Sequence, residues 1–311
     1  MSISVLIPCR GNAPYLCETL DSVFKSSLPP SEVIVVNDGM SMQALDRLNT
    51  YKNRQELLLL DNKMNGLVSA LNLGVKSSKN EFVARIDDDD LMETNRLLVQ
   101  SEFLRSHQQV VVAGSQLLYI DESGATTGHS NYPVGRLNEF SEFHRRCLVA
   151  HPSVMMRKSA VLAIGGYRSM FKWNGNDLGE DFDLWLRLSN LGEIFNIDLS
   201  LTRYRQHSSQ SSVRMKDGHR LATYWIVSMN VQNPKNQIQV AFEDGKCQDI
   251  KLFKKFINKT FSLPYRVNIY AELFYLSRKK PTRRMIFLRY FLTFLTSIVR
   301  HTKSWLARIA K

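Results

Sequence analysis

Four consecutive carboxylates, Asp87 to Asp90, follow a short apolar segment in the stretch FVARIDDDDLMETNR. At a separation of about 6 Å and an effective dielectric constant of about 20, each neighbouring pair repels by roughly 3 kcal/mol. A solvated loop would dilute this repulsion, whereas a divalent cation would reverse it, because hard cations prefer oxygen ligands. The run alone leaves both interpretations open, so the elements around it must decide.

Two other groups of polar residues also follow segments that we predict as strands. The stretch from Pro8 to Asn12 ends the first strand, and Asp38 ends the second. Because the carboxyl ends of parallel strands meet at one edge of a sheet, where open α/β folds bind ligands, we expect these groups to lie near the Asp run. No GxGxxG follows the first strand and no GxxxxGK[ST] occurs, which disfavours a dinucleotide-binding oxidoreductase and a P-loop NTPase.

The first hundred residues alternate between apolar strands and segments with helical periodicity. The predicted strands are 3–8, 32–38, 57–61 and 81–86, and the predicted helices begin near Leu16 and cover 41–53 and 66–78. This alternation predicts an α/β protein with a parallel sheet covered on both faces. Further on, 151–168 predicts a strand, a short helix and a tight Gly-Gly turn, 179–192 an amphipathic helix, and 204–212 a polar loop.

The chain has 311 residues and a net charge of +12 that is unevenly distributed. Residues 251–311 hold 15 Lys or Arg against one acid, whereas residues 1–250 carry a net charge of −2. Such a basic segment predicts an anionic partner, either nucleic acid or a membrane surface. The start MSISVLIPCRGN has no basic leader, so we expect no signal peptide, and the four cysteines lack CxxC spacing, as expected of reduced thiols in the cytoplasm.

Six segments, in this order, resemble the glycosyltransferases of family 2, which have the GT-A fold and assemble bacterial surface polysaccharides such as the lipopolysaccharide O-antigen. They are SVLIPCRGNAPYLCETLDSVFKSS, EVIVVNDGMS, NGLVSALNLGVKSSKNEFVARIDDDDLMETNRLLVQ, HPSVMMRKSAVLAIGGYR, GEDFDLWLRLSNLG and YRQHSSQSS. The resemblance implies a catalytic domain over 1–212, with a nucleotide-sugar half near 1–115 and an acceptor half near 116–212. A helical basic region would follow over 213–311.

The resemblance implies a metal role for the Asp run. In this family an Asp-x-Asp motif at a strand end holds Mn²⁺ or Mg²⁺ on the diphosphate of a nucleotide sugar. Asp89 is the first candidate ligand, with Asp87 and His207 as further ones. Asp87 and Asp88 are alternatively expected to face the ribose or the waters of the metal.

The resemblance also implies the nucleotide site. Asp38 is expected to accept the N3–H of uracil or thymine, although an Asp before Gly39 also suits a plain turn. The opposite wall of the base pocket would come from Pro8, Cys9, Arg10 and Asn12. Arg85 is expected either to meet phosphate or to pin a carboxylate.

The Glu180-Asp181 pair at a helix start matches the position of the family's catalytic base. The resemblance implies that Asp181 takes the proton of the acceptor hydroxyl, with Glu180 as the second candidate. Acids in a first helical turn are also favoured by the helix dipole alone. His151 is expected to line the acceptor side, and Trp185 to lie in the core or to form an acceptor platform. The segment 169–179 is longer than usual and is expected as a loop bordering the acceptor.

Residues 285–299 form an apolar stretch shorter than the roughly 20 residues that span a bilayer. Because basic residues crowd both of its ends, we expect 278–311 to bind an anionic membrane surface through a helix lying in the interface, with packing on the catalytic domain as the alternative. The aliphatic and aromatic content of this region disfavours nucleic acid. Together with the resemblance, this predicts a peripheral, monotopic protein on the cytoplasmic face of the inner membrane.

The sequence therefore predicts an inverting, metal-dependent glycosyltransferase of the hexosyltransferase type. The donor is expected to be a UDP-sugar, with a dTDP-sugar second, and the acceptor a lipid-linked or lipopolysaccharide-type saccharide. The alternatives are an inactive membrane- or polysaccharide-binding protein of the same fold and a sugar nucleotidyltransferase. PCRGNAP does not supply the glycine-rich loop of the latter.

Overall fold

A computed structural model of the chain describes residues 2–140, 143, 146–210, 214–232, 240–243 and 246–247. They belong to two compact units. The first comprises the residues up to Arg168 together with 181–210, and the second comprises Ser169–Glu180 with the described residues after position 213. The predicted boundary at residue 212 and the predicted helix over 285–299 concern a region that lies mostly outside the described residues, and both stay predictions.

Strands and helices alternate over the first eighty-five residues, as predicted, and several strands then follow one another without a helix between them. The strands are β1 (Ile3–Gly11), β2 (Glu32–Met40), β3 (Leu57–Asp61), β4 (Phe82–Arg85), β5 (Leu91–Met92), β6 (Val110–Ile120), β7 (Thr126–His129), β8 (Gly135–Arg136), β9 (Met155–Arg157), β10 (Phe171–Trp173), β11 (Asn176–Asp177), β12 (Glu193–Arg205), β13 (Val240–Glu243) and β14 (Lys246–Cys247). The helices are α1 (Leu16–Phe24), α2 (Met42–Leu48), α3 (Leu67–Ser77), α4 (Arg96–Ser106), α5 (Lys158–Ala163), α6 (Glu180–Leu188) and α7 (Lys216–Gln232).

A ten-stranded sheet forms the centre of the first unit. Its order is β3-β2-β1-β4-β9-β6-β12-β5, with β7 beside β6 and β8 beside β12. The pairs β1–β2, β1–β4, β2–β3 and β6–β12 are parallel, and β9 lies antiparallel between β4 and β6. The predicted α/β class and the mostly parallel sheet are confirmed, and the antiparallel β9 is the main departure.

The central strands are buried because helices cover the sheet. Helix α1 buries Leu16, Leu20 and Val23, which are spaced at one face of a helix. Helix α3 approaches β1 at Gly74, where an added Cβ would lie within 2.1 Å of Leu6 Cδ1. Only a residue without a side chain therefore permits this contact between helix and strand.

Strand β3 lies at one edge of this sheet among the strands that the structure describes, and β5 lies at the other end of the strand order. Two of its four consecutive leucines, Leu58 and Leu59, are exposed. The strand ends at Asp61, whose carboxylate accepts a hydrogen bond from Asn37 of β2.

The segment expected as a long loop, 169–179, instead contains a β-hairpin of the second unit. Strands β10 and β11 pair antiparallel around Asn174 and Gly175, whose φ angles of +46° and +76° are those of a tight hairpin turn. β10 also pairs with β13 in a four-stranded sheet. Within the described part of the chain, no helix has the length and apolar character needed to cross a membrane.

Candidate active site

The four carboxylates that follow β4 divide into a group of three and a single residue. Asp87, Asp89 and Asp90 each offer an oxygen, and these oxygens all lie within 4.8 Å of one another. Asp88 turns away from them and accepts hydrogen bonds from the thiol of Cys9 and the backbone N–H of Arg10. Asp90, which the sequence analysis did not select, therefore joins the cluster, while Asp88 connects the run to the end of β1.

Burial dominates the electrostatics of this cluster. It raises the pKa of Asp89 and Asp90, and the nearby charge of Asp87 raises them further. Burial and Asp89 raise the pKa of Asp88 to about 7. Asp90 is fully buried, and its Oδ2 has no hydrogen-bond donor among the described residues. These carboxylate oxygens are crowded, and one of them is buried without a hydrogen-bond donor among the described residues. As metal ligands they suit a hard divalent cation.

Two side chains, those of Arg85 and His207, hold the carboxylates of Asp87 and Asp89 in place. The buried guanidinium of Arg85 donates to both oxygens of Asp87, at 2.7 and 2.5 Å, so it pins a carboxylate, the second of its two predicted roles. The Nε2 atom of His207 lies 2.8 Å from Asp89 Oδ2, and its Nδ1 lies 2.6 Å from Ser209 Oγ. His207 thus reaches the cluster, but here both of its ring nitrogens contact protein atoms.

Arg205, at the end of β12, is a residue that the sequence analysis missed. Its side chain is fully buried, its backbone N–H donates to Asp90 Oδ1 and its Nε donates to the carbonyl of Asp89, both at 2.9 Å. The guanidinium carbon lies 4.2 Å from the centroid of the Tyr15 ring. Arg205 therefore joins the end of β12 to the Asp run.

Arg96, in the first turn of α4, is a second missed residue. Its Nη2 donates to the carbonyls of Arg85 and Val154, its Nη1 to the carbonyl of Pro152 and to Thr202 Oγ1, and its Nε to Gln100 Oε1. Burial lowers its pKa to about 9. The sequence gives no signal for this role, because a single Arg in a first helical turn can equally be exposed to solvent.

Asp38 is buried at the end of β2 and uses one oxygen for the protein. Oδ1 accepts from Asn62 Nδ2 and from the backbone N–H of Gly66, each at 2.6 Å. Oδ2 lies 3.8 Å from a guanidinium nitrogen of Arg10. The protein therefore fixes Oδ1 of this carboxylate with two hydrogen bonds, while Oδ2 faces the exposed side chain of Arg10.

The residues expected on the opposite wall differ in exposure. Pro8 and Cys9 are buried, whereas Arg10 and Asn12 are exposed. The carbonyl of Asn12 accepts a hydrogen bond from Arg47, and its Oδ1 accepts one from Ser41 at 3.3 Å. Direct contact with a base is thus open to the side chains of Arg10 and Asn12 rather than to that of Cys9.

Asp181 is half-buried in the first turn of α6. Its Oδ1 accepts from the backbone N–H of Phe182 at 2.7 Å, and its Oδ2 lies 3.8 Å from Cys147 Sγ. Two residues after Asp181, the buried Asp183 forms ion pairs with Arg168 at 2.5 Å and with Arg187 at 2.9 Å. Asp183 thus has a structural role and anchors the helix that carries Asp181. Glu180, the residue before Asp181, is buried.

His151 and Trp185 lie in the core. His151 Nε2 is 2.8 Å from the hydroxyl of Tyr167, and its ring meets Trp185 edge-on at 5.7 Å between centroids. Burial lowers the pKa of His151 well below its usual value, because the charged form would be desolvated. The place of His151 on the acceptor side stays a prediction, for a side chain that is buried, and Trp185 takes the first of its two predicted roles, in the core.

Comparison with known proteins adds the family and the fold. The family described as "Glycosyl transferase family 2" matches residues 4–165. An Escherichia coli UDP-Gal:alpha-D-GlcNAc-diphosphoundecaprenol beta-1,3-galactosyltransferase is 28% identical over 60% of this chain and 66% of its own length. The Escherichia coli O-antigen biosynthesis glycosyltransferase WbnJ is 27% identical over 71% of this chain and 86% of its own. The match covers only 28% of the length of a longer Rickettsia bellii glycosyltransferase.

Among solved structures, Staphylococcus aureus TarS 1–349 in complex with UDP-GlcNAc superposes with a TM-score of 0.57 at 17% identity. The superposition covers 89% of this chain and 82% of the TarS chain. At this identity the likeness concerns the fold, which is GT-A-like with a mostly parallel, curled sheet.

Proposed function

Since this chain belongs to glycosyltransferase family 2, we propose that it transfers a sugar from a UDP-sugar to a hydroxyl of a lipid-linked or lipopolysaccharide-type saccharide, with inversion and with the help of Mn²⁺ or Mg²⁺. The observation that carries this proposal is the cluster of Asp87, Asp89 and Asp90. It lies after β4, which is hydrogen-bonded to β1, while Asp38 lies in β2 on the other side of β1. The carboxylates that suit a metal and the carboxylate that suits a base thus follow or end the two strands that flank β1, in the parallel part of the sheet.

Asp38 supports uracil or thymine as the base of the donor. Uracil presents N3–H as a donor, and Asp38 Oδ2 is an acceptor on a side chain whose other oxygen is already fixed. Cytosine presents a bare N3 acceptor at the same place and would meet the carboxylate without a proton between them. The UDP and UDP-Gal in the names of the relatives favour UDP over dTDP.

Asp87, Asp89 and Asp90 would hold the divalent cation. The cation would offset the charge of the diphosphate and stabilise it as it leaves. The protein's part is to fix the three carboxylates: Arg85 orients Asp87, His207 orients Asp89, and the backbone of Arg205 orients Asp90. Each of these contacts restricts one carboxylate to a single orientation.

Asp181 is the proposed base. The backbone N–H of Phe182 fixes its Oδ1, and Oδ2, which lies 3.8 Å from Cys147 Sγ, would accept the proton of the acceptor hydroxyl. That hydroxyl oxygen then attacks the anomeric carbon in line with the departing diphosphate, and the bond to the diphosphate breaks. The proton stays on Asp181 until water removes it. Glu180 is the second candidate for this role.

We also propose that the protein lies on the cytoplasmic face of the inner membrane through residues 278–311, which are outside the described residues. The support is the charge of residues 251–311, with 15 basic residues against one acid, around an apolar stretch at 285–299. Removal of residues 281–311 should release the protein from the membrane fraction. Unchanged fractionation would remove this part of the proposal.

The first experiment is thermal stabilisation by UDP, dTDP, GDP and CDP, with and without Mn²⁺, in the wild type and in Asp89→Asn. Stabilisation by UDP that needs Mn²⁺ and is lost in Asp89→Asn supports the proposal. The matched control is Asp121→Asn, because the side chain of Asp121 caps an exposed turn and is not part of the Asp cluster. No response to any nucleotide would favour a binding protein of the same fold.

Turnover is then tested with Asp181→Asn, which should keep the UDP response and lose sugar transfer by at least about a hundredfold. Asp198→Asn, an exposed position on β12, is the matched control. Loss of transfer in Glu180→Gln but not in Asp181→Asn would reassign the base.

A further inference from the structure

We propose that Tyr119, Tyr132 and Tyr204 form the platform on which a pyranose ring of the saccharide acceptor lies, with Asp181 at its edge. This inference rests on the proposed function and identifies the part of the chain that would hold the acceptor. Trp185, the aromatic residue that the sequence suggested for a platform, lies in the core instead.

Tyr132 lies among the groups that surround Asp181. Asn196 donates to the carbonyl of Pro133, next to Tyr132, and to the carbonyl of Leu148, next to Cys147, so the two segments adjoin. Burial raises the pKa of the Tyr132 phenol, and Cys147, Tyr119, Tyr204 and Asp181 raise it further. Cys147 Sγ in turn lies 3.8 Å from Asp181 Oδ2. The tyrosines and the proposed base are therefore parts of one cluster.

Tyr119 and Tyr204 extend this cluster across two strands. They are register partners in the parallel pair β6–β12, and their ring centroids are 6.2 Å apart at an interplanar angle of 71°. All three tyrosines are only half-buried. Two partly exposed rings near the ends of neighbouring strands, with the ring of Tyr132 from a loop, offer both flat apolar area and hydroxyl groups at its margin.

Buried amides fix the segments that carry this cluster. Gln116 accepts from the backbone N–H of Tyr132 at 3.0 Å and donates to its carbonyl at 2.7 Å. The fully buried Asn196 donates to the carbonyls of Pro133 and Leu148, each at 2.9 Å. One amide therefore ties the Tyr132 segment to the segment that carries Cys147.

A platform held in this way is ordered before its ligand arrives, so little conformational entropy is lost on binding. Such rigidity favours a ligand that is itself rigid.

A pyranose matches the surface in both of its features. Its C–H face packs on an aromatic ring, and its hydroxyls can meet tyrosine oxygens and the carboxylate of Asp181. A lipid chain would also cover the rings, but it would place no hydroxyl at Asp181. The pairing of rings with a carboxylate therefore favours a sugar over a lipid at this position.

The test is saturation-transfer NMR on the full chain with UDP and Mg²⁺ present, because Mg²⁺ is diamagnetic. The probes are methyl glycosides of glucose, galactose and N-acetylglucosamine. Saturation of the protein should reach the ring C–H protons of at least one glycoside. Tyr132→Leu and Tyr204→Leu should each weaken that signal by about threefold to tenfold, the value of an aromatic contact.

Tyr132→Phe and Tyr204→Phe keep the ring but lose the hydroxyl, so each should lose less of the signal than the corresponding leucine variant. The uridine protons of UDP report in every sample whether the protein is folded and whether the donor site is intact. Uridine saturation without any glycoside saturation would overturn the platform and leave the proposed function standing. An unchanged glycoside signal in both leucine variants would overturn it as well. Absence of the uridine signal in the wild type would count against the proposed function itself.

Discussion

The imidazole Nε2 of His207 lies 2.8 Å from Oδ2 of Asp89, although 118 residues separate the two in the chain. The contact joins the loop after β12 to the loop after β4. With Nδ1 held by Ser209, the ring has one orientation, and it restrains the carboxylate that the sequence places first on a metal. His207 therefore acts on the cluster through Asp89.

His207→Ala should weaken Mn²⁺ binding in the presence of UDP by about tenfold to a hundredfold, the usual cost of losing a group that orients a ligand. Titration calorimetry with Mn²⁺ measures this change, and His129→Ala, at an exposed position, should leave the affinity unchanged. Complete loss of Mn²⁺ binding would instead make His207 a direct ligand. An unchanged affinity would contradict both roles.

Asp38→Asn should change which base is bound. Because Asn62 and Gly66 both donate to Oδ1, the amide oxygen of the new side chain would stay there and its NH₂ would replace Oδ2. The affinity for UDP should fall by about tenfold to a hundredfold, since two donors would then face each other, while the affinity for CDP should rise.

Calorimetry with UDP and CDP checks this exchange. Asp46→Asn, an exposed position on α2, is the control and should alter neither affinity. Equal losses for the two nucleotides in Asp38→Asn would mean that Asp38 supports the pocket without reading the base.

Arg96→Lys should lower the free energy of unfolding by at least about 3 kcal/mol. An ammonium cannot reach the five acceptors of the guanidinium. The carbonyls of Arg85 and Pro152 would lose their Arg96 donor, and that of Val154 would keep the backbone N–H of Arg85 but lose its contact with Arg96. Urea denaturation measures the loss. Arg105→Lys on the same helix is exposed and should stay within about 0.5 kcal/mol of the wild type. Equal stability of the two variants would show that the Arg96 contacts are not needed.

His151 should give the protein a stability that falls in acid. Its pKa is lowered in the folded state, so below about pH 6.5 the unfolded state binds a proton that the folded state does not. Stability should therefore be complete above about pH 6.5 and decrease below it by up to about 1.4 kcal/mol per pH unit.

The comparison of wild type and His151→Gln from pH 7.5 to pH 5 isolates this contribution, because other titrating groups cancel in the difference. His129→Gln should keep the pH dependence of the wild type, since that side chain is exposed. A difference that does not change with pH would contradict the neutral, buried state of His151.

Local sequence predicted most of the nucleotide half of the fold. The apolar runs of β1 to β4 and the helical spacing in α1 to α3 each carry enough signal by themselves, and the structure confirms them. The hairpin at 169–179 was missed, although Asn174-Gly175 is a typical two-residue hairpin turn. The strands on either side of it are short, so length argued for a loop.

The candidate active site could be predicted from the sequence only in part. The sequence indicated that the Asp run matters, but not that Asp88 would turn to Cys9 while Asp90 joins Asp87 and Asp89. That division depends on Arg205, which reaches the run from more than a hundred residues away. Contacts of this kind are set by tertiary packing, and no local pattern encodes them.

The outer strand β3 has a consequence for the behaviour of the protein at high concentration. No described strand pairs with its outer edge, and two leucines of its run of four, Leu58 and Leu59, are exposed. Such an edge is a template on which a second chain can add a strand, and many proteins block it with lysine or proline. Self-association through β3 would join two sheets edge to edge, at the edge that β2 and β1 separate from β4 and the Asp run. A lysine in place of Leu59 would protect the edge and leave the candidate active site untouched.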